Sequence, residues 1–343
     1  MAKITEQDAA TEVVFVKAKP SATRTWFARL LVVALLVSFG WNAWQYYQGR
    51  RYFAKLGSPA EQFHSGSQTA SDRIALLRIS GTISPPFTGR LLKQIKKAKD
   101  DSDVKGAILV VDSPGGFVAD SHMIYNKLQE LADEKPIYVA MKRIAASGGY
   151  YIAMGAGPKA KIFAEPTTWT GSIGVIIPRY NVADLAKEYG VEAEPITAGK
   201  FKDTMSPFRD MREDEQELWG EIIDDAYQRF VGVIEQNRPN LTREQTLELA
   251  TGQIYTANQA KENGLVDEIG FIEDVIETMK SDLNLSDPRV VTYYSSPSLL
   301  ETFTGYTQAK ATDPLNALMD ASVPRAMYLF AWPSGSEPYD AEQ

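Results

Sequence analysis

The chain has 343 residues, is 44% hydrophobic and 23% charged, and carries a formal net charge of −8. This is a globular composition, long enough for one large or two small domains, and the dispersed Lys and Arg residues offer no basic surface to a polyanion, which argues against nucleic-acid binding. The absence of cysteine removes disulfides, thiolate metal sites and cysteine nucleophiles, and the two histidines, His64 and His122, do not make a His-rich metal site.

Residues 1–25 form a polar leader. No charged residue occurs from Leu30 to Tyr47, and with Trp26, Phe27 and Ala28 extending it the stretch 26–47 predicts one transmembrane helix: at ~1.5 Å per residue the run approaches the ~30 Å hydrocarbon core. The alternative, a cleaved secretory signal, fits less well because Trp41-Asn42-Ala43-Trp44 lacks a convincing small-residue cleavage site. Residues 48–72, rich in Gly, Ser, Gln and Ala from about Gly57, predict a tether.

The folded domain is expected over 73–295. Short apolar runs alternate there with helical patterns: strands at Ile74–Ile79, Ala107–Val111, Ile137–Ala140 and Ile173–Ile177, and helices near Arg90–Lys99, near Asp120–Leu131 and from Ser147. That alternation predicts an α/β fold with a parallel sheet covered by helices. Leu218, Trp219, Ile222, Ile223, Tyr227, Phe230, Val231 and Ile234 recur at helical spacing and mark a long amphipathic helix. Residues 296–343 are too irregular to assign.

Two glycine-rich turns follow strands of this sheet. Asp112-Ser113-Pro114-Gly115-Gly116 lies where a parallel strand ends, the edge at which active sites gather, and paired glycines let backbone amides approach a developing oxyanion. Ala145-Ala146-Ser147-Gly148-Gly149-Tyr150-Tyr151 places a serine among small neighbours at a helix entrance, with the Gly148 amide as a second donor. Taken singly, the first reads as a turn and the second as a helix cap. Parallel strands bring their carboxyl ends to one edge, so the two belong together.

A serine nucleophile needs a base, and no histidine follows Ser147. His122 suits helix packing better, so a Ser-His-Asp triad is disfavoured. Lysine can serve if desolvated or close to positive charge, at a cost of ~4 kcal/mol for lowering its pKa by about three units. Ala198-Gly199-Lys200-Phe201-Lys202-Asp203, after the strand-like Ala193–Thr197, offers Lys200 and Lys202 on one side of an extended segment. The residues alone do not choose between the two lysines.

The ordered set Asp112-Ser113-Pro114-Gly115-Gly116, Ala146-Ser147-Gly148-Gly149-Tyr150-Tyr151, Thr170-Gly171-Ser172-Ile173-Gly174-Val175, Gly199-Lys200-Phe201-Lys202-Asp203 and Gly252-Gln253-Ile254-Tyr255-Thr256-Ala257-Asn258-Gln259-Ala260 resembles the signal peptide peptidase SppA family, in its short single-domain form. The resemblance covers roughly Ile74 to Val275. It implies a crotonase/Clp-protease-like fold, Ser147 as nucleophile, Lys202 as general base, Ser172 as the residue orienting that lysine, and Gly115 and Gly148 as oxyanion positions. It also implies an extracytoplasmic or periplasmic catalytic domain on a single-pass inner-membrane protein that cleaves remnant signal peptides and other apolar peptides, with no metal or cofactor. Longer members carry the serine and the lysine in separate halves of a duplicated chain, whereas one copy of each motif is present here. A closed homo-oligomer in which Ser147 of one protomer meets Lys202 of another is therefore expected. Small residues are expected near the cleavage point. The alternatives are a crotonase-like acyl-CoA enzyme and a catalytically silent membrane scaffold.

Overall fold

The computed structural model describes residues 59–294 and 326–329, and in the N-terminal part Trp26, Val32 and 35–42. Residues 35–42 are helical, and Leu35, Leu36, Val37, Phe39 and Trp41 on them are exposed. The rest of the predicted span 26–47 lies outside the described residues; among the described residues no helix is long and apolar enough to cross a membrane.

The centre of the molecule is a mostly parallel sheet. Strands β1 (Ala60–Ser65), β2 (Arg73–Ser80) and β3 (Val104–Ser113) come first, with helix α1 (Phe87–Asp100) as the crossover between β2 and β3. β4 (Gly115–Phe117) leads into α2 (Val118–Ala132), and β5 (Ile137–Ala146) leads into the short α3 (Gly148–Ala153). β6 (Ile162–Ala164), β7 (Trp169–Gly171), α4 (Ala183–Glu188), α5 (Glu213–Asn237) and α6 (Arg243–Leu249) follow. β8 (Ile254–Thr256), α7 (Ala257–Glu262), β9 (Glu268–Ile269), α8 (Ile272–Asp282), β10 (Arg289–Tyr294) and β11 (Met327–Leu329) complete the order. Among the described residues the main sheet runs β1-β10-β2-β3-β5-β6-β9, with β7 branching from β5 and carrying β8. Only β1·β10 and β7·β8 are antiparallel within it.

Alternation along the strands divides the core into two layers. Ala75, Leu77 and Ile79 of β2, Ala107, Leu109 and Val111 of β3, and Val139 and Met141 of β5 face α1, α2, α3 and α5. The intervening Ile74, Leu76, Ile108, Val110, Tyr138 and Ala140 face Ile272, Val275, Ile276 and Met279 of α8. The central strands are therefore apolar on both faces, as the continuous runs in the sequence require. At roughly 1.5–3 kcal/mol per fully buried large apolar side chain, these two layers dominate stability. Around them α6 and α7 start at capping boxes, in which the Thr242 and Thr256 hydroxyls accept the amides of Gln245 and Gln259 and the threonine backbone N–H groups donate to the glutamine side-chain oxygens in return.

The structure departs from the sequence reading in four places. Residues 60–65, read as tether, form edge strand β1; their polar sequence hides a ladder that the backbone of β10 supplies. Ile173–Ile177 is no strand: the ladder is made by Trp169–Gly171 just before it, and Ile176 makes only an isolated bridge. Ala193–Thr197 is an irregular, fully exposed stretch that finds no strand to pair with. In the unassigned tail, Met327–Leu329 forms β11 antiparallel to β4.

The C-terminal end of α5 is tied to the sheet by Arg238, which is only 4% exposed. Its guanidinium donates to both Asp267 carboxylate oxygens, at 2.8 and 3.0 Å, and to the Gly264 carbonyl at 2.6 and 3.0 Å. Arg238→Met should cost about 2–3 kcal/mol in urea denaturation, below the ~3–5 kcal/mol of a fully buried pair because Asp267 reaches solvent; a midpoint unchanged from wild type would show that the guanidinium ties nothing down.

Candidate active site

Three parallel strands end at one place. Ser113 of β3 pairs with Ala145 of β5, and Ala146 of β5 pairs with Gly171 of β7, so the residues after each strand become neighbours. β5 runs six residues past the predicted Ala140, through Lys142 and Arg143, because its far half has its own ladder with β7. Lys142 pairs with Glu165 at 3.0 Å and Arg143 with Asp112 at 2.8 Å, which keeps both charges at the surface of an otherwise buried strand.

Ser147 sits at that junction, 1% exposed, at φ 54° and ψ −115°. A serine with positive φ is strained by about 1–3 kcal/mol and persists only where its surroundings impose it. Here they do: its N–H donates to the Gly171 carbonyl at 2.7 Å, and its own carbonyl accepts from Tyr151 N–H at 2.9 Å in the first turn of α3. Its side chain makes no capping hydrogen bond, which leaves the hydroxyl for other use. Ser172 follows Gly171 directly, is also nearly buried and also has positive φ, 50°, with its N–H on the Gln253 carbonyl at 2.7 Å. Among the described non-glycine residues only Ser147, Ser172 and Asn284 adopt such a backbone, and two of the three are adjacent in space.

Gly115 and Gly148 face one another beside Ser147. A Cβ on Gly115, whose φ is 104°, would lie 2.7 Å from Gly148 N and 1.9 Å from the carbonyl oxygen of Tyr328. A Cβ on Gly148 would lie 3.1 Å from Gly115 Cα, 3.0 Å from the same Tyr328 oxygen and 2.7 Å from Ser121 Oγ. Both positions are thus open only to glycine, and the gap between them holds a carbonyl group. The Gly115 N–H donates to Ser113 Oγ at 3.1 Å, and Ser113 Oγ in turn donates to the Gly81 carbonyl at 2.6 Å. His122 is placed away from the serine, its Nδ1 paired with Tyr151 Oη at 2.7 Å, the helix-packing role expected of it.

Lys202 is not brought to this cluster within one chain. It lies in a turn at the end of residues 187–202, every one of which is exposed. Tyr189, Val191, Ile196 and Phe201 stand in water along this stretch, Ile196 entirely so. The lysines do not flank each other on an extended segment as expected: Lys200 pairs with Asp214 at 2.7 Å and lies 4.9 Å over the Phe201 ring. Sequence reasoning missed what fastens the turn. Glu215, with its side chain wholly buried, receives Arg209 at 2.7 and 2.9 Å and the Arg212 side chain and amide at 2.7 and 2.9 Å, while Arg209 also holds Asp203 at 2.9 Å. Asp203 is the residue after Lys202, so the network anchors the turn to the first turn of α5. The only signal in the sequence was an acidic helix start, Glu213-Asp214-Glu215, which alone indicates a helix N-terminus.

Residues 129–286 match Peptidase family S49. The "Putative signal peptide peptidase SppA" of Enterococcus faecium is 43% identical over 203 residues, which are 59% of this chain and 58% of that protein. A "Putative protease" of Synechocystis sp. is 38% identical over 202 residues, 59% of this chain and 71% of its own length. The "Serine protease SPPA, chloroplastic" of Arabidopsis thaliana is 32% identical over 250 residues, 69% of this chain and 36% of its length. The chain spans less than two thirds of the Enterococcus and Arabidopsis proteins. It belongs to peptidase family S49, the SppA and protease 4 family, as its motifs suggested.

The Arg209 guanidinium, with burial opposing and Arg212 assisting, holds the Glu215 carboxyl down at about 2, against an ordinary 4.5. Because the folded value is depressed, the stabilisation is complete above pH 4.5 and is lost as pH falls from there towards 2. Thermal midpoints recorded across that window should fall more steeply for the wild type than for Glu215→Gln; parallel curves would remove the carboxylate from the acid response.

Proposed function

We propose that the chain is a membrane-anchored serine endopeptidase working through a Ser/Lys dyad, with Ser147 as nucleophile and Lys202 as general base. The observation that carries this reading is a serine without a capping bond, held at strained φ beside two facing glycines whose gap accommodates a carbonyl group. Strained serines at strand ends with backbone amides nearby suit attack on an acyl carbon better than a structural turn does. Membership of family S49 supports the same chemistry.

The mechanism follows from the residues. Ser147 Oγ attacks a peptide carbonyl while its proton passes to Lys202 Nζ, and the Gly148 amide and the Gly115 position hold the oxyanion. For Gly115 to donate, its N–H must leave Ser113 Oγ, a neutral hydrogen bond at 3.1 Å that is weaker than one to an oxyanion. The lysine returns the proton to the leaving amine, and water then cleaves the acyl-enzyme with the same lysine as base. Ser172, the neighbour of Ser147 across the β5–β7 ladder, orients the lysine.

One protomer supplies the buried serine and a second the exposed lysine. The apolar side chains standing in water along 187–202 are what a neighbouring copy would cover, and desolvation there would favour the neutral lysine that the mechanism needs. The assembly is a closed homo-oligomer, its fold crotonase/Clp-protease-like, its anchor the apolar stretch 26–47, and its catalytic face extracytoplasmic. Substrates are remnant signal peptides and other apolar peptides; the name of the Enterococcus relative, "Putative signal peptide peptidase SppA", supports the first.

Detergent-solubilised wild type should cleave an apolar signal-peptide analogue, and Ser147→Ala and Lys202→Ala should each lose at least a hundredfold, within the range of removing a general base. Lys200→Ala should retain activity. Mixing the two inactive variants should restore a fraction of it, since some mixed sites then contain both intact groups. A Lys202→Ala protein as active as wild type would sink the dyad; mixtures that stay silent after subunit exchange would sink the shared site.

A further inference from the structure

Ser121 carries a buried hydroxyl that the fold leaves unused. It opens the buried stripe of α2, with Ile124, Tyr125, Leu128 and Leu131 following at helical spacing. The residue is 0% exposed, and its Oγ has no hydrogen-bond partner among the described residues. Other buried hydroxyls at the strand ends are engaged: Ser113 Oγ donates to the Gly81 carbonyl and Thr170 Oγ1 to the Ala145 carbonyl, each at 2.6 Å. A helical serine that does not reach solvent ordinarily bonds the carbonyl of the turn before it, and Ser121 does not. An unpaired buried hydroxyl is destabilising, and alanine, the better helix former, would remove it.

What Ser121 faces gives the serine a use. The point that a Gly148 Cβ would occupy has three nearest atoms: Ser121 Oγ at 2.7 Å, the Tyr328 carbonyl oxygen at 3.0 Å and Gly115 Cα at 3.1 Å. The hydroxyl therefore stands at the rim of the gap between Gly115 and Gly148. Of the two amides assigned to the oxyanion there, that of Gly115 is held by Ser113 Oγ at 3.1 Å, so the resting gap is short of a donor. The Ser121 O–H is a donor with no bond to give up.

Resting on the peptidase reading above, we infer that Ser121 is a further catalytic residue, whose hydroxyl donates a third hydrogen bond to the oxyanion. As Ser147 Oγ bonds to the peptide carbon, its proton passes to Lys202 and the carbonyl π pair moves onto the oxygen. Ser121 turns its O–H towards that charge and keeps its proton. A hydrogen bond made only once the charge exists lowers the barrier without tightening the ground state.

The test compares full-length, detergent-solubilised wild type, Ser121→Ala and Ser147→Ala. Cleavage of the apolar signal-peptide analogue is followed together with inhibition by a peptide aldehyde of the same sequence, whose tetrahedral adduct with Ser147 places its oxygen in the gap. Ser121→Ala should lower kcat by on the order of a hundredfold with KM unchanged, and should weaken the aldehyde as well. Its thermal midpoint should equal or exceed that of wild type, since no hydrogen bond is lost and alanine favours the helix. A kcat within about twofold of wild type overturns the inference. So does a loss of activity that comes with a lowered midpoint, which makes the hydroxyl a packing group, or one carried by KM alone. Ser147→Ala judges the underlying reading separately. If it is as active as wild type, the serine peptidase falls and the inference with it; if it is inactive while Ser121→Ala is fully active, only Ser121 loses its role.

Discussion

The hydrogen bond from Ser147 N–H to the Gly171 carbonyl is the constraint on which the site depends. It extends the β5–β7 ladder one residue beyond the strand and holds a serine in a backbone region that costs about 1–3 kcal/mol. That turn aims the start of α3 at Gly115 and sets Ser172 next to the serine. The cost is affordable because α3 is fully buried, with Tyr150 and Tyr151 at 0% exposure and Tyr150 Oη on the Leu265 carbonyl at 2.8 Å. A helix so firmly packed cannot relax to relieve the residue before it.

The site and the aromatic cluster around Tyr328 share this scaffold. Tyr151, four residues after Ser147, has its ring between that of Tyr328 and the His122–Tyr125 pair, and Phe230 of α5 closes the same aromatic group. The helix that follows Ser147 thus also packs against the Tyr328 ring. α5 does two jobs at its two ends: near its C-terminal half it provides Phe230 and the Ala226 carbonyl, and at its start it anchors, through Glu215, the turn bearing Lys202. One long amphipathic helix therefore links the aromatic cluster around Tyr328 to the segment that displays Lys202.

Much of this was legible in the residues. The central strands, the two glycine-rich turns and the shared edge at which they meet followed from apolar runs and from the geometry of parallel sheets, because burial on both faces leaves an unmistakable signature. The edge strand Ala60–Ser65 and the tail strand Met327–Leu329 were not legible, since each is held by the backbone of a partner remote in sequence rather than by its own pattern. The misplaced strand at Ile173–Ile177 is the converse: its β-branched residues resemble a strand, but Ile173 is buried as core, Ile176 is exposed, and the backbone makes only an isolated bridge.

By itself the sequence determined the class of chemistry open to this protein: no cysteine, no well-placed histidine, one serine between small residues and a lysine motif, in an order shared with family S49. Those are facts of residue type and spacing, which composition and motif carry. Only the tertiary structure decided that Ser147 and Ser172 share a strained junction, that Gly115 and Gly148 face across a carbonyl, that Lys202 stands apart in water, and that Tyr328 is buried against Tyr151 and Phe230. Each of these joins residues tens to hundreds of positions apart, and such proximity is fixed by strand register and helix packing, which no local pattern encodes.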